Sequence, residues 1–93
     1  MPSLLLSGQI TVTTSGNAIQ GTDINWYGFY IKAHPDNTDT VWVGNDATGT
    51  GDVSNLTGFP LDPGETVWLP VSNLDQLYFD ADVNGLKVCW AIG

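Results

Sequence analysis

The run Leu77-Tyr78-Phe79-Asp80-Ala81-Asp82-Val83-Asn84-Gly85-Leu86-Lys87-Val88-Cys89-Trp90-Ala91-Ile92 decides the fold class. From Leu77 to Val83 apolar and polar residues alternate, the period of a half-buried strand. Leu77, Phe79, Ala81 and Val83 are assigned inward, and Tyr78, Asp80 and Asp82 outward. Asn84-Gly85 follows, a pair suited to a two-residue hairpin turn in which both positions take φ > 0. Lys87 to Ile92 then closes the expected hairpin. No window of comparable length carries apolar residues at helical spacing with capping residues at its ends.

Working outward, the same period recurs. Thr66 to Val71 places Val67, Leu69 and Val71 on one face and Trp68 on the other. Before it, Asp62-Pro63-Gly64-Glu65 is a tight turn of type II, with Pro63 setting φ and Gly64 accepting φ > 0. Phe59-Pro60-Leu61 is apolar and expected to tuck into the core. Asn45 to Asn55 is a loop rich in Gly, Thr and Asp, and Thr40 to Gly44 is a short strand with Trp42 opposite Val41 and Val43. His34 to Asp39 is a loop broken by Pro35. Ile24 to Ala33 is the strongest strand, with Tyr27, Phe29, Ile31 and Ala33 on one face and Trp26, Gly28, Tyr30 and Lys32 on the other. Ala18-Ile19-Gln20 is a short return strand after the turn Ser15-Gly16-Asn17, and Leu4 to Thr14 is the first strand. Residues 1–93 therefore form one all-β domain, a single antiparallel β-sandwich or jelly-roll-like barrel of about seven or eight strands. Residues 1–7, with Leu4-Leu5-Leu6, are either an edge strand or a docking arm.

The totals narrow what such a domain does. The 93-residue chain has ten acidic residues, two lysines (Lys32 and Lys87), no arginine and a net charge of −8. Phosphate backbones and anionic membranes call for clustered cations, so nucleic acid and membrane are not expected partners. The start lacks the basic and long apolar segments of a signal peptide, and no stretch reaches transmembrane length. Cys89 is the sole cysteine and His34 the sole histidine, which excludes an intrachain disulfide and a conventional zinc site. Cys89 lies between Val88 and Trp90 with no neighbouring cation in sequence and reads as inert. His34 has no nucleophile in a recognisable motif. Asp80 and Asp82 stand two apart on a face expected to be solvated, with no sign of the cleft a glycosidase requires. Weak calcium candidates are Asp36 and Asp39 in one loop and Asp46 and Asp52 in another. They match no EF-hand spacing, and Asp is an ordinary turn residue. No cofactor and no catalysis are expected.

The chain has an excess of apolar faces. Trp26, Tyr30, Trp42, Trp68 and Tyr78 all fall opposite the residues assigned to the core, whereas an antiparallel sandwich ordinarily keeps its outer face polar. With four Trp and three Tyr in so short a chain, a second subunit or a stacked sugar ring is the natural cover. The ordinary alternative is a bulge that shifts the alternation and returns these residues to the core.

Asp36-Asn37-Thr38, Val41-Trp42-Val43-Gly44, Gly58-Phe59-Pro60-Leu61-Asp62-Pro63-Gly64-Glu65, Leu69-Pro70-Val71-Ser72-Asn73-Leu74 and the strand pair around Asn84-Gly85 form one pattern. It resembles small β-sandwich proteins that occur among the structural genes of tailed bacteriophages. The resemblance spans residues 8–93 and implies a virion accessory component, a capsid decoration or fibre protein, present in the host cytoplasm during assembly. It brings no catalytic residues. It gives Phe59, Leu61, Pro63, Gly64, Asn84 and Gly85 fold-specifying roles, Phe59 and Leu61 as anchors of the preceding loop. The expected partners are further copies of the chain, for instance in a cyclic trimer, and a major capsid or other virion protein. A carbohydrate-binding module using exposed Trp and Tyr on a surface glycan is the alternative function.

Overall fold

A computed structural model describes residues 6–16, 18–45 and 58–92. Eight strands follow one another: β1 (Ser7–Val12), β2 (Ile19–Gln20), β3 (Phe29–Ala33), β4 (Val41–Gly44), β5 (Phe59–Leu61), β6 (Thr66–Leu69), β7 (Tyr78–Ala81) and β8 (Leu86–Ile92). They make two antiparallel four-stranded sheets, the first in the order β1-β8-β3-β6 and the second in the order β2-β7-β4-β5. That is the all-β sandwich expected, and its winding is that of a jelly roll. Only β4 and β5 are both consecutive and paired; every other connection crosses from one sheet to the other. No α-helix occurs among the described residues, and one 3-10 turn, Leu74–Gln76, precedes β7.

The core lies between the sheets. Phe29, Ile31, Val12 and Val88 of the first sheet meet Phe79 and Val41 of the second, with Leu74 plugging one end; all are fully buried. Leu61 is buried as expected. Pro63-Gly64 turns as its sequence dictates, with Gly64 at φ +87° and the Glu65 N–H donating to the Asp62 carbonyl at 2.9 Å. Ser7 opens an edge strand, and the Leu6 carbonyl extends its pairing by accepting from Ile92 at 3.0 Å. Residues 1–5, and with them Leu4-Leu5, lie outside the described residues.

Several expectations are corrected. Asn84-Gly85 does not close a hairpin, because β7 and β8 belong to different sheets. Gly85 has φ +85° but Asn84 does not take φ > 0, so the pair forms an arch over the sandwich edge. The Gly85 N–H donates to Val12 at 2.8 Å, handing the chain to β1. Alternation marks strands but does not say whether neighbours pair or face each other across a core. For the same reason β2 returns onto β7 and not onto β1.

The long strand expected from Ile24 is shortened to Phe29–Ala33, because Gly28 takes φ +91° and breaks the alternation. Tyr27, assigned to the core, consequently stands 64% exposed. Phe59, expected to tuck in, is exposed. It belongs to the inner row of the second sheet but sits on the edge strand, at the rim of an apolar cleft of about 320 Å³ that Val67, Leu69 and Val71 also line. Val83, read as inward, is exposed in the arch after β7.

Asp80 was expected on a solvated face and is only 3% exposed. The β1–β2 connection folds over it. Its Oδ1 accepts from the N–H groups of Gly16 at 3.0 Å and Ala81 at 2.8 Å. Ser15 fastens the same connection, donating its Oγ–H to the Ala81 carbonyl at 2.7 Å and its N–H to Asn84 Oδ1 at 2.8 Å. Among the described residues no buried side-chain nitrogen or oxygen lacks a partner.

Candidate functional site

Directly opposed residues of antiparallel strands share a face, so the register lays out each outer surface. On the first sheet one outward row runs Ser7, Ala91, Tyr30, Trp68. The next runs Gln9, Cys89, Lys32, Thr66, and a third holds Thr11 and Lys87. Tyr30 is 47% and Trp68 42% exposed. Gly28 is the seat of the Trp68 indole: a Cβ there would stand 2.4 Å from the ring. Tyr27, turned out by Gly28, meets Trp68 edge to face with ring centroids 6.3 Å apart. Trp26, one residue earlier, is also exposed. This gathers an aromatic surface at the β3–β6 side of the sheet.

On the second sheet the outer rows are Asp80, Trp42, Pro60 and Gln20, Tyr78, Gly44. Trp42 is half-buried and donates its Nε1–H to Asp82 Oδ1 at 3.0 Å. Tyr78 is half-buried as well. The five aromatic residues singled out in sequence therefore do not make one platform. Tyr30 and Trp68 lie on the outer face of the first sheet, and Trp26 leads into it. Trp42 and Tyr78 lie on the outer face of the second. Trp90, the fourth tryptophan, is on the inner row of the first sheet, covering Gly8 and packing edge to face on Phe29 at 6.3 Å. Tyr27 belongs to the exposed aromatic set and was missed. The glycine after it was the available signal, since a left-handed residue ends the strand's alternation, and the residues before it no longer follow its parity.

The charges are segregated. Both lysines of the chain, Lys32 on β3 and Lys87 on β8, point outward on the first sheet, and none of its four strands carries an Asp or Glu. Among the described residues neither lysine ammonium lies within 4.0 Å of a carboxylate. Around the outer face of the second sheet the carboxylates gather at Thr40 and Trp42. Asp39 Oδ1 accepts from the Thr40 N–H at 2.8 Å, and Asp62 Oδ1 accepts from the Thr40 hydroxyl at 3.1 Å. Asp82 holds Trp42.

The remaining candidates have structural duties. His34 Nδ1 accepts from the Asp36 N–H at 3.0 Å. The Asn37 side chain grips both backbone groups of Lys87, at 2.8 and 2.9 Å. Asp36 and Asp39 do not converge on a common point with a third ligand, and among the described residues no group of three His, Cys, Asp or Glu could hold a metal ion. Asp46 and Asp52 lie outside the described residues. Asp80 and Asp82 are spent on a buried backbone clamp and on Trp42. No helix among the described residues is long and apolar enough to cross a membrane. No family model, no curated protein and no solved structure matches this chain.

Proposed function

We propose that the chain is a non-enzymatic assembly protein that associates through the outer face of the first sheet. The observation that carries this is the Tyr27–Tyr30–Trp68 surface, in which large aromatic rings stand open to solvent on a sheet face that in a lone sandwich is ordinarily polar. Aromatic residues of this kind concentrate at the centres of protein interfaces. The edge-to-face setting of Tyr27 on Trp68 makes a stepped surface, suited to interdigitating with side chains. The phage-like sequence pattern supplies the setting, an accessory protein of a virion surface that contacts its own copies and a capsid protein. Jelly rolls recur in viral capsid and lectin domains, an analogy of fold that does not by itself assign a function.

Sedimentation velocity over a wide concentration range tests the proposal. The wild-type chain is expected to associate, and a Tyr30→Ser/Trp68→Ser variant to remain a folded monomer. A wild-type chain that stays monomeric throughout, with tryptophan fluorescence that responds to a glycan, would replace assembly with sugar binding.

A further inference from the structure

Self-association leaves open which surface meets the aromatic face, and the charge layout answers it. We infer that the outer face of the first sheet docks on the outer face of the second sheet of another copy, head to tail. This rests on the assembly reading and specifies its partner.

A two-fold contact that pressed two first-sheet faces together would pair strands that carry Lys32 and Lys87 and no carboxylate with an identical set, so neither face would offer the other's lysines an opposite charge. Like charges set opposite one another oppose association. Against the second sheet the balance reverses. The docking face offers two ammonium groups with no carboxylate on its strands. At one end of the opposite face, where β4 begins and β5 and β7 finish, Asp39, Asp62 and Asp82 gather around Thr40 and Trp42. In a chain of net charge −8, placing both lysines on the strands of one sheet makes the two faces electrically unlike. Such polarity selects a heterologous contact. Because the two faces lie on opposite sides of the sandwich, each added copy leaves a fresh face exposed. The product is a row of stacked sandwiches in place of a closed ring.

The test is a charge swap read by sedimentation velocity. Lys32→Glu/Lys87→Glu sets acid against acid and is expected to weaken association about tenfold or more. Asp39→Lys/Asp62→Lys sets base against base and is expected to do the same. Mixed in equal amounts, the two variants are complementary at both kinds of junction and are expected to co-assemble. Circular dichroism and melting establish that each variant is folded. If the acidic-side variant does not fold, salt still decides the matter by comparison: raising it from low to molar concentration is expected to weaken association of the wild type about tenfold relative to that of Lys32→Gln/Lys87→Gln, which keeps the acids but lacks the docking cations. Association of the wild type that ignores both Lys32→Glu/Lys87→Glu and salt overturns the head-to-tail contact while leaving assembly standing. Folded variants that fail to co-assemble on mixing overturn it too. A wild type that never associates overturns both.

Discussion

The two outer faces of the sandwich use the same residue types in opposite ways. On the second sheet Trp42 gives its indole N–H to Asp82, Asp80 is closed under the β1–β2 connection, and Asp39 and Asp62 bind Thr40. Polar groups there hold the chain, while the charges of Asp62 and Asp82 still face solvent. On the first sheet Trp68 rests on Gly28 with 42% of its surface open, Tyr30 stands beside it, and Lys32 and Lys87 touch no carboxylate among the described residues. An aromatic residue on a sheet face is thus not a binding signal by its presence. What distinguishes the two is whether its ring and polar tip already have partners in the same chain.

The sharpest way to break this contrast is Gly28→Ala. A methyl group there adds a φ > 0 penalty and drives into the Trp68 ring, so the expected loss is about 2–4 kcal/mol. Urea unfolding measures it, and a red-shifted Trp68 emission in the folded state would report the displaced ring. A loss under about 0.5 kcal/mol would mean that the indole is not seated as described. On the opposite sheet Asp80→Ala strands the buried Ala81 N–H and frees the Gly16 N–H to water, and is expected to cost about 1–3 kcal/mol, while Asp80→Asn, which keeps an acceptor oxygen, costs less. Equal losses for the two variants would remove the clamp. Trp42→Phe deletes one hydrogen bond to Asp82 and should lower stability by about 1 kcal/mol. Tyr30→Ser, on the open face, should change stability by under about 0.5 kcal/mol, the range of ordinary surface substitutions, yet weaken self-association. A melting temperature that falls as far as that of Asp80→Ala would make Tyr30 a structural residue.

Strand positions were legible because alternation is local. Phe29–Ala33, Val41–Gly44, Thr66–Leu69 and Tyr78–Ala81 all lie within the segments that alternation marks, and Pro63-Gly64 turns as its chemistry dictates. Sheet membership was not legible. The arches at Ser15-Gly16 and Asn84-Gly85 use the same residues as hairpins, and only contacts 64 or more positions apart, such as Gly16 with Asp80, separate the two. Parity placed Tyr30, Trp42, Trp68 and Tyr78 outward but could not divide them between two faces. It misplaced Tyr27, on the far side of the left-handed Gly28, and it left Asp80 exposed because the cover comes from a distant loop. The segregation of Lys32 and Lys87 became visible only after the strands were sorted into sheets.

The central claim is that the first sheet's outer face is covered when the protein associates, and Cys89 can report it directly. This sole cysteine is half-buried at the middle of that face, flanked across the strands by Gln9 and Lys32. Its alkylation rate, followed by mass spectrometry at rising protein concentration, is expected to fall in step with the loss of monomer. An unchanged rate across the concentrations at which oligomers form would contradict the account.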